Sequence, residues 1–171
     1  LANRVLLHAL EYYAAHAGRP LRLEFAGTLD EVPDFHSGYK LLTRETAADV
    51  FASATQPAGL SDDCYYRHAV EAVTSVEALR AGALLAVVNR STLDEQPVSS
   101  FRSLDRCRLT ADMIVWPCKR LGVPPTFVDQ WLRNHMPRLR LVSLVPDGPE
   151  QLRTIHKLVL DEMGWTPEDE L

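Results

Sequence analysis

The spacing of apolar residues predicts six helices. Between Leu1 and Ala17, for example, Leu6, Leu10 and Tyr13 return to one face, as in an amphipathic helix that packs on a core. Capping residues set the starts of the other helices, and glycine or proline sets their ends. The predicted helices span 1–17, 43–53, 61–81, 104–121, 126–136 and 149–163.

Two other segments have the pattern of strands. Leu21, Leu23 and Phe25 alternate with polar residues, which predicts a strand with one face in solvent. Residues 83–88 are continuously apolar, as expected of a strand that is buried on both faces of a parallel or mixed sheet. Residues 139–145 are also predicted to be extended. The pattern therefore predicts an α/β fold with a helical C-terminal portion.

Length and composition narrow the class of protein. The 171 residues, 46% of them hydrophobic and 24% charged, suffice for one folded unit with a substantial core. No apolar run approaches the roughly 20 residues that a membrane helix requires. The three cysteines form no CxxC pair, which favours a reducing compartment, and we expect a cytoplasmic protein.

The net charge of −5 conceals a segregation of charge along the chain. Segment 98–140 carries eight basic residues against three acidic ones, whereas both flanking segments are acidic. Such a segment either contacts an anionic partner or forms a solvated helix face with extended arginines. The basic residues are Arg102, Arg106, Arg108, Lys119, Arg120, Arg133, Arg138 and Arg140.

Candidate catalytic groups occur in a loop and at a helix start. Asp62 and Asp63 follow Ser61 at the start of a predicted helix, where a carboxylate either acts as a general base or complements the helix dipole. Asp34 and His36 offer an oxygen and an imidazole to a substrate or metal, although the same residues are common in turns.

Basic side chains near these carboxylates suggest an anionic substrate. Lys40 and Arg44 could contact a phosphate or lie on a solvated edge, and Arg102 and Arg106 lie in a region that could form a basic loop. The full series of candidate substrate-binding residues is Asp34, Ser37, Gly38, Tyr39, Lys40, Arg44, Arg102 and Arg106.

The order of these motifs resembles the second half of the catalytic domain of family 2-like glycosyltransferases. The resemblance runs from Val32 to Val88 and includes the loop 34–40, the acidic pair Asp62–Asp63 and Gly82 before an apolar strand. It implies a GT-A nucleotide-sugar fold with a mixed sheet, a nucleotide-sugar donor and a divalent metal, Mg²⁺ or Mn²⁺. It assigns Asp62 or Asp63 as the base, with Glu71 as an alternative, and His36 as a metal ligand.

The chain departs from the family pattern because it contains no Asp-x-Asp, the motif that holds the metal and diphosphate in that fold. Leu1 also opens within a helical pattern that lacks a start signal. We therefore expect a preceding segment or chain to supply the donor-binding half and most of the metal ligands.

These observations predict part of a glycosyltransferase that moves a sugar to an acceptor hydroxyl. Residues 1–97 would form the acceptor-side half, and residues 98–171 a basic loop and helical extension packed on it. The alternative is a non-enzymatic helical binding module that uses segment 98–140 for nucleic acid or a protein partner. The overall acidity disfavours nucleic acid, and the sequence leaves a homo-oligomer open.

Overall fold

The computed structural model describes residues 1–24, 32–53, 59–87, 105–142 and 146–166, and helices dominate these ranges. The elements are α1 (Ala2–Ala17), β1 (Leu23–Glu24), α2 (Arg44–Ala52), a π-helix (Asp63–His68), α3 (Val70–Arg80), β2 (Leu85–Ala86), α4 (Arg106–Arg120), α5 (Pro125–Leu141) and α6 (Gly148–Met163).

Local signals fix several helix ends as the sequence predicts. The Thr43 side chain accepts a hydrogen bond from the Thr46 amide at the start of α2, and the Asp105 carboxylate accepts two from backbone amides at the start of α4. Gly18 and Gly164 end α1 and α6 in the left-handed conformation, with φ of 61° and 69°.

The predicted helix 61–81 is divided into two. Its first part is a π-helix, and an α-helix begins only at Val70. Within the π-helix, Cys64, Tyr65 and His68 are buried, while the Ser61 hydroxyl accepts from the Cys64 amide at 3.2 Å. The wider turn of a π-helix changes which side chains face inward. Here it turns the polar His68 toward the core.

Helix α4 lies at the centre of the core. It packs against α1, the π-helix, α3 and α6, and its Trp116 is fully buried. The Leu6 and Leu10 face of α1 and the Val159 face of α6 belong to the same apolar cluster. The two predicted parts, 1–97 and 98–171, therefore share one core.

The predicted α/β fold is wrong. Residues 23–24 and 85–86 form a two-residue parallel pair, with Leu23 opposite Leu85, and the described ranges contain no larger sheet of the GT-A kind. Leu84 is half exposed and Ala86 is exposed, so the apolar run 83–88 is not buried on both faces over its described part. The helices that could have covered such a strand pack on α4 instead.

Helix α5 also differs from the prediction, because it continues through Pro137 to Leu141. Proline removes one helical hydrogen bond and normally ends a helix. Here Pro137 is exposed, whereas Trp131, Leu132 and Met136 are buried. Packing of the buried face therefore outweighs the lost bond, and residues 139–141 are helical rather than extended. No helix in the described ranges is long and apolar enough to cross a bilayer.

Candidate functional site

The loop that contains Asp34 docks on the start of α1. The Asp34 carboxylate accepts hydrogen bonds from the Asn3 side chain at 3.0 Å and from the His36 amide at 3.1 Å. The side-chain Oδ1 of Asn3 in turn accepts a hydrogen bond from the Phe35 amide at 3.1 Å, and the Phe35 ring is buried in the core. These contacts give Asp34 a structural role in fixing the loop.

His36 lies in the same loop, and neither of its ring nitrogens has a hydrogen-bond partner among the described residues. Burial, offset in part by Asp34, lowers its pKa to about 4, so the imidazole is neutral at pH 7. A neutral imidazole can bind a metal, but the described residues contain no group of three or more His, Cys, Asp or Glu side chains able to hold one. The described residues therefore form no complete metal site around His36, and the metal stays a prediction.

The other predicted loop residues remain near His36. The Lys40 ammonium donates to the Ser37 carbonyl, and burial lowers its pKa even though Glu71 and Asp34 oppose that effect. The Tyr39 amide donates to the Ser37 hydroxyl at 3.3 Å, while the Tyr39 side chain is exposed. Gly38 is exposed, with open space where a side chain would be.

The predicted bases lie at an exposed helix start. Asp62 and Asp63 are both exposed, and Asp63 forms an ion pair with Arg67 at 3.5 Å. Arg44 and Arg106 are exposed first residues of α2 and α4. Arg102 lies outside the described residues. Within the described residues, Asp34 and Asp63 have different hydrogen-bond and ion-pair partners, and no such contact joins the two carboxylates.

A buried polar chain connects the π-helix to α4 and α6. The His68 Nδ1 donates to an Asp112 oxygen at 2.6 Å, and the Arg108 guanidinium contacts the other Asp112 oxygen at 2.9 Å. Arg108 also contacts Glu162 at 2.7 Å. Burial would lower the pKa of Arg108, but its contacts with Glu162 and Asp112 outweigh burial and raise it.

The cysteine beside this chain is not a reactive nucleophile. The Cys64 thiol lies 3.7 Å from the Asp112 carbonyl, and burial followed by the Asp112 charge raises its pKa to about 12. His68 and Asp112 side chains are 8% and 2% exposed, so a substrate cannot reach the pair. This buried chain of polar side chains therefore links helices rather than forming an open catalytic site.

A second polar cluster joins α5 to α6. Asp129 accepts hydrogen bonds from Arg133 at 3.0 Å, from His156 at 2.9 Å and from Trp165 at 3.4 Å. Burial alone would raise the pKa of the Asp129 carboxyl, but these three donors outweigh it and lower the pKa.

An open polar site lies where three helices end. Arg19 follows α1, Arg80 is the last residue of α3, and Arg120 is the last residue of α4. Together with Tyr13, Ser53, Glu77 and Ala81 they line a cleft of about 470 Å³, hereafter the arginine cleft. This volume lies within the range of about 300–1,000 Å³ that is typical of small-ligand sites.

Glu77 organises the arginines of this cleft. Its carboxylate is 3% exposed and accepts from Arg120 through two nitrogens, at 2.6 and 2.9 Å, and from Arg80 at 3.2 Å. The Arg80 guanidinium also lies 5.6 Å from the centre of the Tyr13 ring. These contacts hold two guanidinium groups in fixed positions.

Several donors in the cleft remain available after these contacts. A guanidinium has five N–H donors, of which Arg120 uses two for Glu77 and Arg80 uses one. The described residues provide no partner for the exposed Arg19 guanidinium. They also provide none for the Arg80 Nε, which is buried away from solvent. Three arginines and one glutamate give the cleft a formal charge of plus two. This arrangement can bind an anion.

Of its described residues, the basic segment 98–140 contributes Arg120 alone to the cleft. Arg108 pairs with Asp112 and Glu162, and Arg133 pairs with Asp129. Arg138 and Arg140 are exposed near the end of α5. At 100° per residue, Arg140 returns to the face of Arg133 and Arg138 does not. The segment therefore does not form one continuous basic face.

Sequence reasoning missed the arginine cleft because its charged residues are far apart in the chain. The local signal that each gives is a basic residue at a helix C-terminus, which also complements the helix dipole. The spacing of Glu77 and Arg80 indicates an ion pair on one helix face, but nothing in it points to Arg120.

The chain was compared with known proteins in three ways. No model of a known protein family matches it, and no curated protein or solved structure gives a significant match.

Proposed function

We propose that the chain is a helical binding module that captures an anionic group in the arginine cleft. The observation that carries this proposal is the pairing of buried Glu77 with Arg120 and Arg80, which fixes two guanidinium groups while leaving N–H donors for a ligand. Preorganised donors bind an anion without the entropy cost of ordering flexible side chains.

The backbone around the cleft supports this proposal. The Ala14 carbonyl near the end of α1 accepts from the amides of Gly18 and Arg19, and the Pro117 carbonyl near the end of α4 accepts from Leu121. The Ala78 carbonyl of α3 accepts from Ala83. Because these end carbonyls already have backbone donors, they do not require the guanidinium hydrogens.

A protein or small-molecule ligand fits the cleft better than duplex nucleic acid does. Nucleic-acid binding relies on many phosphate contacts spread over a basic surface. Here Arg108, Arg120 and Arg133 each pair with an acid, in three separate places. The cleft instead offers one concentrated positive site.

The predicted sugar transfer depended on a GT-A sheet that would bring Asp34, His36 and Asp62–Asp63 to one cleft beside the end of strand 83–88. The described residues have no such sheet, and the candidate base Asp63 is paired with Arg67 on the surface. Sugar transfer therefore stays an untested prediction, and the cleft gives the better-supported function.

Nuclear magnetic resonance of the arginine Nε–H groups tests anion binding directly. Sulfate is added to the isotope-labelled protein at low, constant ionic strength. The Arg80 and Arg120 signals are expected to shift along saturable curves with one dissociation constant, because both side chains line the cleft and each Nε–H senses a change at its own guanidinium group. Arg19→Gln should weaken that constant about three- to tenfold, since one charge-assisted contact contributes on the order of 1 kcal/mol at an exposed site.

The matched control is Arg153→Gln, which removes the same charge from an exposed arginine on α6 that pairs with Glu150. It should leave the constant unchanged. Shifts that stay linear with sulfate concentration, or that are equal at Arg153 and Arg80, would show that the arginines serve only the helix ends.

A further inference from the structure

The charge of the cleft indicates which class of anion it takes. We infer that the ligand group is the dianion of a phosphate monoester, an inference that rests on the proposed anion-binding function. Among the residues that the structure describes, the cleft holds the positive charges of Arg19, Arg80 and Arg120 against the one negative charge of Glu77. A dianion balances the excess of two, whereas a carboxylate or a phosphate diester, each with one negative charge, leaves one cation unbalanced.

Hydrogen-bond capacity agrees with the charge. A phosphate monoester offers three terminal oxygens that are strong acceptors. Arg80 provides the Nη hydrogens that Glu77 leaves free, and Arg19 and Arg120 add further donors from the other helix ends. Donors from three different helices can surround a tetrahedral group, whereas a planar carboxylate is satisfied by one guanidinium.

The remaining wall of the cleft suits the organic part of the ligand. Tyr13 and Ala81 line it and add carbon surface beside the arginines. The cleft volume of about 470 Å³ also exceeds what a bare phosphate fills. The phosphate is therefore expected to be attached to an alcohol, from either a phosphorylated side chain or a small phosphorylated molecule.

The pH dependence of affinity separates a monoester from other anions. The second pKa of a phosphate monoester is about 6, so the dianion rises from about a tenth of the total at pH 5 to about nine tenths at pH 7. Affinity for free O-phosphoserine should therefore increase about tenfold over this interval. Sulfate remains a dianion throughout, so any pH effect that comes from the protein would appear in its profile.

The experiment measures dissociation constants by Arg80 Nε–H shifts at pH 5 and pH 7 for four ligands: O-phosphoserine, sulfate, dimethyl phosphate and acetate. From pH 5 to pH 7 the dissociation constant is expected to fall about tenfold for phosphoserine and to stay nearly constant for sulfate. At pH 7 the diester and acetate should bind at least tenfold more weakly than phosphoserine. Arg19→Gln should reduce the preference for dianion over diester, and Arg153→Gln should not.

A short phosphoserine peptide, with its unphosphorylated form as control, separates the two sources. Tighter binding of the peptide than of free phosphoserine supports a protein ligand, and equal affinity supports a small phosphorylated molecule. Saturable sulfate binding combined with a flat phosphoserine profile, or with equal affinity for the diester, would overturn the monoester inference and leave anion binding intact. Failure of sulfate itself to saturate would overturn both.

Discussion

Replacing Asp112 with Ala removes the carboxylate that joins the π-helix to α4. In the native protein this group is 1% exposed and contacts His68 at 2.6 Å and Arg108 at 2.9 Å. After the change, Arg108 keeps Glu162 and is about one third exposed, so water and Glu162 can satisfy it. His68 cannot reach water, because its side chain is 8% exposed.

The expected loss follows from this asymmetry. Removing one partner of a buried ion pair typically costs about 3–5 kcal/mol, and an orphaned buried donor accounts for about 1–3 kcal/mol of such losses. Because Arg108 keeps a partner, we expect the lower end, about 3 kcal/mol. For a chain of this size that corresponds to a fall in Tm of about 6–12 °C. Asp112→Asn keeps the volume and one acceptor and should lose about half as much.

Urea unfolding at pH 7, followed by tryptophan fluorescence and far-ultraviolet circular dichroism, measures the change in the free energy of unfolding. Coincident transitions from the two signals establish that one cooperative step is measured. Asp63→Ala is the control, since it removes the acid of another i,i+4 pair whose side chains are 66% and 57% exposed. That variant should change stability by no more than about 0.5 kcal/mol. If the free energies of unfolding of Asp112→Ala and the control differed by less than about 1 kcal/mol, the buried polar side chains around Asp112 would not hold the helices together.

Three further variants or reactions test other parts of the structure. Folding lowers the pKa of Asp129, so its contribution to stability is complete above the ordinary carboxyl pKa of 3.8 and is lost as pH falls through the lower pKa of the folded state. Asp129→Asn should therefore flatten the decrease in urea midpoint that the native protein shows below about pH 4. Iodoacetamide at pH 8 should alkylate partly buried Cys107 before the buried Cys64 and Cys118. Burial raises the pKa of all three thiols, and for Cys64 and Cys118 it raises the pKa to about 12, so peptide mass spectrometry should find Cys107 modified first. Pro137→Ala should stabilise the protein against urea by about 1–3 kcal/mol, because it restores an N–H donor inside α5 at an exposed position; lost stability would contradict this view of the helix.

Helices with local start and stop signals could be predicted from the sequence. Thr43 caps α2, and Gly164 ends α6, as residues in those positions generally do. The predictions failed where tertiary packing outweighed a local preference. Pro137 predicts the end of a helix, yet the buried face around Trp131 and Leu132 carries α5 beyond it.

The apolar run 83–88 illustrates a different limit. Its composition suits a buried strand, but a strand is buried only if neighbouring strands and helices cover it. Here β1 pairs with Leu85 and Ala86 alone, and α1, α5 and α6 belong to the same core as α4. Hydrophobic pattern identifies residues that can be buried, whereas the choice of partner depends on the whole chain. That choice separates the observed helical fold from the predicted α/β fold.

The candidate site depends even more on distant parts of the chain. In sequence, Arg19, Arg80 and Arg120 are three unrelated basic residues, and each could serve only the dipole of its own helix. Packing of α1, α3 and α4 brings the three helix ends to one cleft, and Glu77 then binds two of the arginines from α3. The buried carboxylate is informative because helix dipoles alone do not require it. Its cost of burial is offset only when the arginines are held in place, and fixed guanidinium groups with free donors are what an anionic ligand needs.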